Sequence, residues 1–159
     1  MSRKNIYDDV EVLLKDIQSD IEDVLMDEVL ETVRDIEIKH VENEVFSVYT
    51  PFIYERRRGG GLNDRENVVG RVKNGELYVD NITPFNDDYG TKNHGIGLAE
   101  MVNEGGTYKH DYDYGFRTIE APFSRPRLFL DNTIEEIEHT NDVENALAKG
   151  LIKRNYDVY

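Results

Sequence analysis

Thirty-eight residues without a glycine or proline, 5–42, carry apolar side chains at alternating spacings of three and four: Ile6, Val10, Leu13, Leu14, Ile17, Ile21, Val24, Leu25, Val29, Val33 and Ile36. That spacing places them on one stripe of an α-helix and predicts a single long helix over 5–42 with one face to bury. Ordinary globular helices average about 12 residues, so a sheet or a neighbouring subunit has to cover this one. The Leu14 and Ile21 side chains are expected in that covered face, where an introduced aspartate would unfold the chain. Asp9, Asp16, Asp20, Asp23, Asp27, Glu31 and Asp35 make the other face acidic. Over residues 1–50 there are fourteen acidic side chains against five basic. Such a face is either simply solvated or a wall turned towards a channel or a basic partner.

The charge reverses in the next part of the sequence. Tyr49-Thr-Pro-Phe-Ile-Tyr-Glu-Arg-Arg-Arg-Gly-Gly-Gly-Leu62 puts aromatics, three arginines and three glycines together, and residues 55–73 hold six basic against three acidic side chains. A solvated loop accounts for the glycines; a docking element accounts for the coincidence of aromatics, arginines and glycines in a chain whose net charge is −14. Val45–Tyr49 leans towards strand, and Pro51 bars a helix. Residues 67–71 and 76–82 read as two strands joined at Asn74-Gly75, a pair suited to a tight hairpin turn, with Leu77, Val79 and Asn81 on the side to be buried. Residues 97–103 form a short apolar segment, helix or strand, ended by Gly105-Gly106.

Two long stretches, 83–96 and 104–125, read as loops, the second rich in tyrosine. Pro126 is placed to open a helix over 128–138. Asn141 with Glu144 resembles a capping box for a second helix, in which Val143, Ala146, Leu147 and Leu151 form the stripe and Gly150 is a weak point. The tail Asn155–Tyr159 is expected to extend away from the body. The 159 residues thus read as one α+β domain: a long helix 5–42, an arm 50–66, a small and mainly antiparallel sheet within 67–103, and a helical region 126–154. The long helix is expected to pack across the sheet.

Several function classes are excluded or disfavoured by composition. Acidity opposes free binding to nucleic-acid phosphates. With no cysteine there is no disulfide framework, thiolate metal site or cysteine nucleophile. No signal peptide and no membrane span are expected. None of His40, His94, His110 and His139 belongs to a His-x-x-x-His pattern, and the glycine clusters lack the endings of phosphate-binding loops. His94, His110, Asp111 and Asp113 are the residues a metal-dependent enzyme would have to use. The expected reading is no catalytic residue, no cofactor and no metal.

Tyr49–Arg57, Gly60-Gly61-Leu62 with Asp64 and Asn67, Leu98-Ala99-Glu100, and Arg125-Pro126-Arg127 with Phe129 occur in that order behind a long helix. This ordered set resembles the head–tail joining, or neck and tail-completion, proteins of long-tailed bacteriophages and prophages, over most of residues 5–138. The resemblance implies a structural virion component: a ring, taken to be a hexamer, between the head connector or stopper and the tail-tube or tail-terminator proteins, with DNA passing through the lumen without sequence-specific binding. It implies subunit contacts through Tyr54, Arg56, Arg57, Arg58, Leu62 and Arg65, to which the tyrosine loop adds Tyr112, Tyr114 and Phe116. It makes Arg125, Pro126, Arg127 and Phe129 a structural sheet-to-helix junction. Another phage assembly module, such as a stopper ring, baseplate or tail chaperone protein, is the alternative.

Overall fold

A computed structural model describes residues 9–48, 60–84, 97–105, 108–112, 115–119 and 125–158; for 108–112 and 115–119 the backbone is described. The long helix is continuous from Val10 to Phe46. It comprises α1 (Val10–Val24), a π-helical turn (Leu25–Val29), α2 (Leu30–His40) and a second π-helical segment (Val41–Phe46). It starts after Asp9 rather than at residue 5. Asp9 is extended, and its carboxylate accepts a hydrogen bond from the Glu11 N–H at 2.9 Å, capping an orphan donor of the first turn. At the other end Val45 and Phe46, expected to lean towards strand, stay helical. Val45 is buried in the main core, so tertiary packing overrides its β-branched preference.

The hairpin forms as its sequence predicts. Strand β1 (Val68–Lys73) pairs antiparallel with β2 (Glu76–Asn81), Lys73 opposite Glu76. Asn74 and Gly75 both have positive φ, 56° and 81°, as a two-residue turn matching the strand twist requires. The hairpin lies against the long helix. The Arg34 Nε donates to the Val68 carbonyl at 2.7 Å, and Gly70 sits so close to Leu30 that a Cβ there would be 2.7 Å from Leu30 Cδ2.

Helix α3 (Leu98–Glu104) resolves the ambiguous 97–103 segment as helix. The expected loop 104–125 instead contains a second antiparallel hairpin, β3 (Tyr108–Tyr112) with β4 (Gly115–Ile119). The alternation of Tyr108, His110 and Tyr112 is a period-two pattern of β-favouring residues, and it carried that information. The two hairpins form separate two-stranded sheets.

Helices α4 (Phe129–His139) and α5 (Asp142–Lys153) complete the chain. Phe129 is fully buried and joins Val41, Val45, Leu62, Ala99 and Val102 in a core at the C-terminal end of the long helix. Further up the long helix, α5 presses on Val24: a Cβ on Gly150 would lie 2.4 Å from Val24 Cγ1. Gly150 is therefore the contact point between two helices, which explains a glycine inside α5. The expected cap at Asn141 does not form through its side chain. The tail also departs from expectation. Asn155 adopts a left-handed φ of 67°, and Tyr156 N–H bonds back to the Leu151 carbonyl at 3.1 Å, a Schellman-type helix end. The chain turns, and the Tyr156 hydroxyl donates to Asp20 at 2.7 Å.

Candidate interaction surface on the long helix

The acidic face of the helix is not uniform. Between Asp20 and Asp35 it is answered by side chains far away in sequence. Arg65 reaches Glu31 Oε2 at 2.8 Å and Asp35 Oδ1 at 2.7 Å, and Arg34 shares Glu31 from the adjacent turn. Lys153 lies 3.0 Å from Glu28, and Arg154 lies 3.1 Å from Asp27 and 3.4 Å from Glu28. These pairs hold the carboxyls of Glu31 (hydrogen-bonded first by Arg65, then by Arg34) and Glu28 (by Lys153) below the usual range.

Farther along, the helix is tied down through His40, whose ring nitrogens stand 2.8 Å from Glu44 and 2.9 Å from Glu136. Lys39 also bonds Glu136, lowering its pKa, and Asn132 donates to Glu44. Glu37, 3% exposed, turns inward. It accepts from Asn81 Nδ2 at 2.7 Å, and burial pushes its carboxyl up. Asn81 also donates to the Leu62 carbonyl at 3.0 Å, and its Oδ1 accepts from the backbone N–H of Thr83. One asparagine thus joins the hairpin, the 62–64 turn and the helix.

The first three turns are different. Val10 is 69% exposed and Leu14 58%, although both belong to the apolar stripe; Leu13 and Ile17 beside them are half-buried. Glu11, Asp16 and Asp23 flank that stripe, exposed and without an ion-pair partner among the described residues. From Asp9 to Val24 there are six acidic side chains against Lys15 alone. An apolar strip between carboxylates is suited to an apolar partner with basic edges. The expectation that Leu14 belongs to the core is corrected here: Leu14 is exposed, while α5 packs at Val24 and the tail bonds at Asp20.

The residues assigned to contacts fall into three groups. Tyr54, Arg56, Arg57, Arg58 and Tyr114 lie outside the described residues. Tyr112 and Phe116 sit on the second hairpin, Tyr112 opposite Gly115 and Phe116 opposite Asp111. Leu62 and Arg65 are used by their own subunit: Leu62 is 5% exposed in the main core, and Arg65 clamps the hairpin to α2. Leu62 is therefore a core residue, corrected from an expected surface contact.

The residues expected at a sheet-to-helix junction stand where the start of α4 meets the end of α3. Arg127 N–H bonds to the Val102 and Asn103 carbonyls at 3.0 and 3.2 Å. Pro126 abuts Gly105, where φ is 74° and a Cβ would lie 2.8 Å from the Pro126 nitrogen. They fasten the start of α4 to the end of α3. Asn103, missed in the sequence, caps α4, the helix that Pro126 is expected to open. Its buried amide accepts from Leu130 N–H at 2.9 Å and donates to Asp131 at 2.7 Å. No local spacing announces a cap supplied by another helix.

Among the described residues no group of histidine and carboxylate side chains is arranged to hold a metal ion, and no helix is long and apolar enough to cross a membrane. His94 lies outside the described residues and His110 stands on β3 opposite Arg117.

Fold and surface together define a small α+β protein organised on one long helix, whose acidic and apolar first turns keep Val10 and Leu14 exposed among the described residues. A family model described as YomN matches residues 9–153, so the chain belongs to the YomN family, a phage-derived group. Comparison with curated proteins and with solved structures returns no match.

Proposed function

We propose that this phage-family protein is a structural component of the virion neck: a tail-completion or head–tail joining subunit that closes into a ring, hexameric by its resemblance, between the head connector or stopper and the tail-tube or tail-terminator proteins. The observation that carries this reading is the uncovered stripe of α1. A stripe of this length is wasted on an isolated monomer, and an exposed apolar surface rimmed by charge marks a contact. Membership of a phage-derived family supports the same reading, as does the resemblance of its ordered motifs to those of neck proteins. At −14 per chain, a ring would carry a strongly negative collar, which DNA passes without adhering. The role assigned is architectural, with no turnover and no cofactor.

The test is to label this subunit in intact particles and locate it by electron microscopy. Label at the head–tail junction is expected. Label at the baseplate, or particles that contain none of the protein, would overturn the assignment in favour of another assembly role.

A further inference from the structure

We infer that the partly exposed first three turns of the long helix, from Val10 to Ser19, are the receptor for residues 49–59 of a second copy of this chain. The inference rests on the ring reading and names the two surfaces that neighbours would use.

Chemistry selects the occupant. Val10, Leu13, Leu14 and Ile17 offer an apolar strip, and Glu11, Asp16 and Asp23 edge it with exposed carboxylates. The complement is a short apolar run followed by cations, and Phe52-Ile53-Tyr54 followed by Arg56-Arg57-Arg58 has that order. Two α1 faces from two copies would instead bring like charges together, which opposes a self-paired helix contact. Several other cations are already taken, Arg65 by Glu31 and Asp35, Lys153 and Arg154 by Asp27 and Glu28.

Reach decides that the contact is between chains. Both ends of the 49–59 segment are held at the far end of the helix. Ser47 closes the helix through its N–H bond to the Glu42 carbonyl, Gly60 N–H bonds Asp64, and Asn63 bonds Glu42 at 2.7 Å. An excursion of eleven residues that must return extends at most about 20 Å. Ile17 lies thirty residues back along the helix, roughly 45 Å away at the usual rise. The segment therefore misses the strip of its own chain and meets it only on a neighbour. A contact between two different surfaces of identical subunits is heterologous, the kind that repeats around a ring.

The chain has no cysteine, so introduced thiols report alone. A Leu14→Cys variant mixed with a Tyr54→Cys variant and oxidised is expected to give a disulfide-linked heterodimer well above what either forms by itself. A chain carrying both changes is expected to give an intermolecular ladder. Adding Arg56→Glu, Arg57→Glu and Arg58→Glu to the Tyr54→Cys partner should lower the yield about tenfold, three weak charge pairs being worth about that much. Adding Asp16→Arg and Asp23→Arg to the Leu14→Cys partner should restore it, with circular dichroism confirming that each variant is folded. Leu14→Cys cross-linking to itself as fast as the mixture, an intrachain disulfide in the double variant, or a yield no higher than for Leu14→Cys with Lys73→Cys would each overturn the inference. Particle labelling at the neck without this cross-link would remove the inference and leave the functional reading standing; the cross-link with label elsewhere would do the reverse.

Discussion

From Val24 to Phe46 the long helix is held on several sides: Gly150 seats α5 on Val24, Leu30 fills the space left by Gly70, Arg65 and Arg34 clamp the first hairpin, and Glu136 takes Lys39 and His40. From Val10 to Ser19 the same alternation of apolar and acidic residues continues, yet Val10 and Leu14 stay exposed, and the tail's bond to the helix is made at Asp20, by Tyr156. The two halves are nearly the same in composition and differ in what the rest of the chain brings to them. A periodic stripe records that a face wants cover; it does not say that the same chain provides it.

The largest effect should separate the halves outright. Val41→Asp places a charge in the fully buried core and is expected to leave no cooperative unfolding transition, because the cost rivals a total stability of roughly 5–15 kcal/mol. A folded Val41→Asp protein, seen by thermal melting, would erase the contrast. Gly150→Ala comes next. Overpacking against Val24 should cost about 1–3 kcal/mol, more than the helix propensity gained, read as a lower denaturant midpoint. A higher midpoint would mean that α5 does not seat on the helix as described.

Glu37 gives a pH test. Burial raises its folded-state pKa above the unfolded value, so its ionisation weakens the fold progressively as pH rises from the ordinary value of 4.5 through the raised one. Glu37→Gln should therefore gain on the parent across that window and hold the gain above it, in denaturation curves taken from acid to neutral pH. The paired carboxylates Glu28, Glu31 and Glu136 act oppositely. Their contribution is present above 4.5 and is lost as pH falls through their lowered values, for the parent and the variant alike.

Smaller effects sharpen the surface. Arg65→Ala removes a half-exposed clamp and should cost at most about 1 kcal/mol, less at high salt; a salt-independent loss would show that packing of the guanidinium stem dominates. Leu14→Asp should change monomer stability by no more than about 0.5 kcal/mol, as befits an exposed position. Unfolding by Leu14→Asp would show that this half of the helix is covered by its own chain after all.

Much of the fold is local and was legible. Uninterrupted helical spacing predicted the long helix, Asn74-Gly75 its hairpin turn, and Gly105 the end of α3, because each is a short-range backbone preference. The second hairpin was missed: Tyr108 and Tyr112 favour strand, but the tyrosines, aspartates and glycines of this region also describe a loop. Three features depended on chain segments meeting from a distance: the capture of Arg65 by Glu31 and Asp35, the cap that Asn103 supplies to α4, and the return of Tyr156 to Asp20.

The amino-acid order alone fixed the helix, its two-faced character and the excess of acid on it, since periodicity and charge are properties of neighbouring residues. Which half of that helix is buried was settled by where α5, the tail and the first hairpin come to rest. Burial depends on contacts over more than a hundred residues of separation, such as Glu28 with Lys153, and no local pattern encodes where those elements run out.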